Sequence, residues 1–260
     1  MGYGIIQTPR FYSDTMNWLA SRGAIKNDEI TEGSGVSGNY TSGDKFDIFD
    51  LNPLNTATID TSADTDAGLL WGLDFLVTSA QPVNYMAIMN HNLVTSGAMV
   101  RVVNSDSPIT TVGLADSVAG LTAIIGCTVG DVDSTATLTE DISAGETAWD
   151  VSNRSVFFDG CTINVEGDST NHIVDGNPGS GSGTMNVVAN VAGIYSNGDS
   201  IYYSDYITPS ADGDLIVHFT EVTNKRYWAV EIVPNDGDFT ATDVQVGSIQ
   251  VGQYVDAAFG

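Results

Sequence analysis

Positive charge is what this chain lacks most. Eight Lys and Arg stand against 33 Asp and Glu in 260 residues, a formal net charge of −25. Gripping a phosphate backbone over a broad surface requires clustered cations, so nucleic acid is excluded as a partner class. The same charge repels anionic membranes, and many copies packed together need screening salt or bound cations, which suits a saline source. Long apolar runs are missing too. No stretch approaches the roughly 20 residues of a membrane span, and MGYGIIQTPR lacks the charged and then apolar pattern of a secretory leader. The expectation is a soluble chain without membrane insertion or a Sec-type address. Cysteine is scarce: Cys127 and Cys161 have no CxxC or Cys/His ligand spacing, and each sits in a short apolar β-type stretch as a small buried hydrophobe. A disulfide between them requires their strands to pair. Enzyme signatures are absent as well. There is no GxSxG elbow and no HExxH helix, and no P-loop or dinucleotide-binding glycine loop joins a strand to a helix.

What the chain does have is turn chemistry. Gly, Ser, Thr, Asn and Asp crowd between short apolar runs, as many tight turns require and long helices avoid, so the chain reads as almost entirely β. Its length suffices for one large β domain or two smaller ones. The strongest scaffold signal is Tyr85–Val103, where two apolar β-type runs flank a polar bend and read as neighbouring strands of a sandwich. In LLWGLDFLV, Leu69, Trp71, Leu73, Phe75 and Val77 share a core face opposite Gly72 and Asp74. Leu215, Val217 and Phe219 share one side of DLIVHF, and Trp228, Val230 and Ile232 one side of RYWAVEIV, with His218 and Glu231 pointing away toward solvent.

Residues 1–45 read as an N-terminal arm. Tyr12, Met16 and Leu19 at helical spacing, with Ser13 as N-cap and Gly23 as stop, predict a short helix. The Gly/Ser-rich TEGSGVSGNYTSGDK follows as loop, and the strands proper begin at Phe46 with FDIFDL. The texture changes at Gly130 and returns at Tyr203. Between them TAWDV, CTINVEG, HIVDG and TMNVVANV are β runs separated by NPGSGSG and SNGD, a compact β insert over 130–203. Residues 46–129 and 204–260 then pair across it as one sandwich, because strands distant in sequence are routinely neighbours in such folds.

Candidate chemistry is thin. His91, between Asn90 and Asn92, has no nucleophile or carboxylate close by in sequence and reads as a turn residue bonding backbone. Carboxylate pairs are plentiful (Asp64/Asp66, Asp131/Asp133, Asp212/Asp214, Asp236/Asp238), but each lies in a turn-like context where Asp serves the backbone. The loops SADGD and PNDGD alternate oxygens around a glycine, so a structural calcium is the one cofactor they suit; neither reaches the twelfth-position Glu of an EF-hand. Tyr202, Tyr203 and Tyr206 offer rings for stacking on a sugar, against the commoner use of such residues in cross-strand packing. No catalytic or metal-ligating set is assigned, and the expectation is a non-enzymatic protein.

Three stretches together resemble structural proteins of tailed-bacteriophage virions: TPRFYSDTMNWLASRG, NYMAIMNHNLVTSGAMVRVV, and KRYWAVEIVPN followed by VQVGSIQVGQYV. That group opens on a proline, arginine and aromatic, here Pro9, Arg10, Phe11 and Tyr12. It carries an ILGHNL-like segment, here Ile88, Asn90, His91, Asn92 and Leu93. It ends on a "YW" strand and an "IGxIxVGxY" segment, here Tyr227, Trp228, Gly247, Ile249, Gly252 and Tyr254. The insert's TLTEDISAGETAWDVSN is similar to small β modules of phage tail proteins, without the arginine and glycine usual near the module's end. The resemblance implies a galactose-binding-like jelly roll in the virion, associated with the tail, its tip or its fibres, in multi-copy or homo-oligomeric contact with other virion proteins. It transfers no catalytic residue. A capsid decoration protein and a carbohydrate-binding module for host surface glycans are the alternatives, and a polysaccharide-cleaving enzyme is a more distant third.

Overall fold

A computed structural model describes residues 10–15, 30–33, 35–61, 68–75, 82–110, 112, 116–117, 122–125, 127–129, 132–157, 161–168, 170–176, 178–188, 193–204, 206–222, 225–235 and 238–256. In chain order come β1 (Arg10–Asp14), β2 (Ile30–Glu32), β3 (Tyr40–Ser42), the short helix α1 (Lys45–Ile48), β4 (Ala57–Ile59), β5 (Leu69–Asp74), β6 (Val83–His91) and β7 (Ala98–Ser105). Next are β8 (Asp116–Ser117), β9 (Thr122–Ile125), β10 (Cys127–Val129), β11 (Val132–Thr137), β12 (Ala148–Val151), β13 (Thr162–Val165), β14 (His172–Asp175), β15 (Gly183–Val187) and β16 (Ser200–Tyr203). The last five are β17 (Ile207–Pro209), β18 (Gly213–Val222), β19 (Tyr227–Pro234), β20 (Val244–Val246) and β21 (Ser248–Asp256).

The fold is an all-β antiparallel sandwich. One sheet runs β1-β21-β6-β18-β9 and the other β10-β17-β7-β19-β5-β2, with β8 beside β7. Period-two alternation fills the space between them. Met86, Ile88, Val217 and Val251 from the first sheet share one buried cluster with Trp71, Val100, Trp228 and Val230 from the second. Leu69 and Leu73 join it, each such side chain contributing roughly 1.5–3 kcal/mol of transfer free energy. A third sheet, β20-β4-β3, adds Ala57, Ile59, Val244 and Val246 to the same core.

Strands on either side of residues 130–203 pair across that segment. β18 lies between β6 and β9, and β19 between β5 and β7. β6 and β7, the two runs of Tyr85–Val103, go to opposite sheets. The bend between them is a corner, closed by Ser96 N–H to Asn92 O and Ala98 N–H to Leu93 O. Residues 132–203 build a six-stranded sheet of their own, β11-β16-β13-β14-β15-β12, around Trp149, Ile163, Val174, Met185, Ile201 and Tyr203. All four β runs read from the sequence of this segment are strands. Met99 and Val233, register partners on the outer face of the seven-stranded sheet, belong to the same cluster, so this core continues onto the sandwich.

Four local expectations are corrected. Tyr12 and Ser13 lie in strand β1, not in a helix, because β21 offers five registered partners from Arg10↔Asp256 to Asp14↔Gly252; Met16, Leu19 and Gly23 lie outside the described residues. FDIFDL does not open a strand. Asp44 accepts Phe46 N–H while Asp47 accepts Asp44 N–H, a reciprocal cap that makes Lys45–Ile48 helical. Strands also begin before Phe46, with β2 running into the stretch read as loop and β3 lying inside it. Finally, the far sides of β5, β18 and β19 are not solvent: Gly72 is buried, His218 is 4% exposed and Glu231 fully buried. Alternation identifies the two faces of a strand, but only the neighbouring layers decide whether the second face is wet.

Candidate functional site

The outer face of the five-stranded sheet carries a cluster of polar and aromatic side chains. Register places Arg10, Tyr12 and Asp14 of β1 beside Asp256, Tyr254 and Gly252 of β21, with Tyr85 of β6 opposite Gly252 and His218 of β18 opposite Tyr85. The three segments bearing the virion-protein resemblance supply β1, β6 and β21 here, and the second and third also supply β7 and β19 of the other sheet. Their glycines have a steric reason. A Cβ on Gly252 would overlap the Ser13 carbonyl oxygen, and one on Gly247 would overlap the carbonyl oxygens of Pro53 and Met89.

His218 is the hub. Its ring stacks on Tyr254 at 3.8 Å between centroids and 14° between planes. Arg10 Nη1 lies 3.0 Å from Nδ1, and Tyr12 Oη 3.0 Å from Nε2. A guanidinium only donates, so Nδ1 accepts, and the neutral ring carries its proton on Nε2 and donates it to Tyr12. Arg10 Nε also donates to Asp256 Oδ1 at 2.7 Å, and its guanidinium carbon sits 5.1 Å from the Tyr254 ring centre. The Tyr12 ring meets Tyr85 edge-on at 4.9 Å. Burial first, and the Arg10 charge second, hold the His218 pKa down at about 4, against the weaker pull of Asp256. With both ring nitrogens committed, His218 has no lone pair to offer a substrate. The cluster is a latch that fastens the N-terminal strand to the sheet.

The other residues singled out from sequence divide clearly. His91 closes β6 and its Nδ1 accepts Leu93 N–H at 3.2 Å, so it bonds backbone as expected. Burial lowers its pKa, opposed by Asp212 and Asp214. These two carboxylates also serve backbone: Asp212 accepts Val94 N–H, Thr95 N–H and the Thr95 hydroxyl, and Asp214 accepts Asn90 N–H at 2.9 Å. Desolvation pushes Asp212 up, yet the bonds from Thr95 and Val94 together hold it below the usual carboxylate range. The SADGD loop thus spends its oxygens on amide donors. Asp64, Asp66, Asp131 and Asp236 lie outside the described residues, while Asp133 and Asp238 are exposed. Among the described residues no group of three or more His, Cys, Asp or Glu is placed to hold a metal ion. Cys161 is a buried thiol and not half of a disulfide. Cys127 lies in β10, which pairs with β17 and places Pro209 opposite it. Of the three tyrosines, Tyr203 and Tyr206 are buried and Tyr202 is half-buried.

One network escaped the sequence reading. His172 Nε2 lies 2.9 Å from Tyr195 Oη, which donates to Asp168 Oδ2 at 2.5 Å, and Trp149 packs edge-on against both rings. Burial lowers the His172 pKa and raises that of Tyr195. The signal was in the alternation of HIVDG, which puts His172 on the side of the buried Val174. On the outer face of the same sheet, Asn164, Glu166, Asp168 and Tyr202 line a depression of about 250 Å³. Comparison with known proteins adds no relative: no family model, no curated protein and no solved structure matches this chain.

Proposed function

We propose that this chain is a non-enzymatic structural component of a tailed-phage virion, present in several copies at the tail, its tip or its fibres, where it acts in assembly and host adsorption. One observation carries the reading. Each of the three segments that resemble virion proteins contributes one strand to β1-β21-β6, whose outermost strand is presented to solvent with Phe11 63% and Tyr12 39% exposed and Val255, beside Phe11 on β21, 53% exposed. An open strand edge with apolar side chains is a natural surface for repeated subunit contacts. The test is gold-labelled antibody imaging of particles from the source lysate. Label at the tail or tip is the expected result. Label spread over the head makes the chain a decoration protein instead, and absence from particles overturns the reading.

The depression at Tyr202 favours a second reading, a carbohydrate-binding module. A half-buried aromatic ring beside an amide and two carboxylates is the chemistry that orients a neutral sugar. A glycan array probed with the purified chain distinguishes it: binding that is lost in Tyr202→Ala supports the module, and an array without binders rejects it.

A further inference from the structure

We propose that β1 is a self-pairing edge: the β1 strand of one copy of this chain pairs antiparallel with the β1 strand of a second copy, about a two-fold axis at Tyr12. The inference rests on the reading of the chain as a multi-copy structural protein and names the contact. β1 ends the five-stranded sheet, so the path of the ladder among the described strands stops there. Its sequence, RFYSD, is self-complementary in the antiparallel register. With Tyr12 facing Tyr12 of the other copy, each Arg10 stands opposite an Asp14, and each Phe11 opposite a Ser13. Opposite charges directly across a ladder favour pairing, and like charges disfavour it.

That charge pattern matters because the chain is otherwise built to repel itself. With eight cations against 33 acidic residues, two copies meeting at a random surface bring carboxylates together. β1 carries one charge of each sign at its two ends. An edge protected against association carries like charges or a proline within the strand; neither is present here.

Both faces of the joined sheet gain contacts. On one face, Phe11 and its exposed neighbour Val255 come beside Ser13 and Gln253 of the other copy, and the two Phe11 rings become diagonal neighbours within aromatic reach. On the other face, Tyr254 and Tyr12 of one copy line up with Tyr12 and Tyr254 of the next. The two-fold makes the contact isologous, so every favourable pair occurs twice. Five residues of edge give a weak contact, suited to reinforcement by many copies in one particle.

The test measures register as well as association. Sedimentation equilibrium of the intact chain over a range of high concentrations is expected to show a monomer–dimer equilibrium. Asp14→Lys, which sets a lysine against Arg10 of the other copy, is expected to raise the dissociation constant about tenfold, with Asp14→Asn intermediate. Unchanged near-UV circular dichroism establishes that these variants are folded. Under mild oxidation, a mixture of mass-tagged Phe11→Cys and Ser13→Cys copies is expected to cross-link at least about tenfold faster than either variant alone, since only the mixed pair places the thiols directly opposite. A monomer at every concentration, an Asp14→Lys variant that associates like the parent, or cross-links from these positions to a different virion protein would each overturn the pairing. A strictly monomeric chain that still labels at the tail sinks only this inference. Absence from particles sinks the functional reading itself.

Discussion

Acidification should loosen this protein through His218. The ring is 4% exposed, its Nδ1 accepts from Arg10, and its Nε2 is 3.0 Å from Tyr12. Protonation would place a second positive charge 3.0 Å from the Arg10 guanidinium and remove the only acceptor it offers there. The folded-state pKa is about 4, against an ordinary value of 6.5. Above pH 6.5 neither the folded nor the unfolded chain binds this proton, so stability is flat with respect to it. Between pH 6.5 and 4 the unfolded chain takes up the proton and the folded chain does not. Stability therefore falls as pH drops and levels off below 4. At about 1.4 kcal/mol per pH unit, the interval is worth about 3 kcal/mol. His218→Gln keeps an acceptor for Arg10 and a donor for Tyr12 while removing the titration. At pH 7 it should be destabilised by about 1 kcal/mol through loss of the Tyr254 stack. Urea unfolding followed by tryptophan fluorescence at pH 7, 6, 5 and 4 is the assay. The parent should lose about 3 kcal/mol more than His218→Gln between pH 7 and 4. Parallel pH profiles for the two proteins would refute the reasoning, as would an NMR titration that finds His218 protonating near pH 6.5.

Gly252→Ala should shift β1 off β21, because the new methyl overlaps the Ser13 carbonyl oxygen; about 2 kcal/mol of destabilisation and faster amide exchange in β1 are expected, read by thermal melting and hydrogen exchange. Asp212→Ala removes the acceptor for two backbone N–H groups and a hydroxyl at the corner between β6 and β7, a loss of about 1–2 kcal/mol by urea unfolding. Tyr195→Phe strands the buried His172 Nε2 and removes one donor to Asp168, so about 1–3 kcal/mol should be lost, with the His172 pKa measured by NMR moving as its partner disappears.

The latch, the corner and the Tyr195 network share a physical theme. Each uses a polar side chain from one element to satisfy groups on another that is distant in sequence, as in Arg10 with His218, Asp212 with Thr95, and Asp168 with Tyr195. Such contacts carry no local periodicity. They arise where the ladder brings the elements into register, and their partners are chosen by what else lies on that face.

The sequence by itself determined the all-β class, the core faces of β5, β18 and β19, four of the six strands of the 132–203 segment and the backbone role of His91. These follow from period-two alternation, turn chemistry and short-range bonding, which act over a few residues. Only the tertiary structure decided the rest. Tyr12 at helical spacing became a strand because β21 was there to pair with it, while the strand-like FDIF became a helical turn because Asp44 and Asp47 capped it. His218 was buried because the Arg10, Tyr12 and Tyr254 side chains of its own sheet close over it, and Glu231 because the packing over the other sheet leaves neither it nor Arg101, its register partner, exposed. A strand's own residues state which sides are alike; which side meets water is settled by the layers that pack on it.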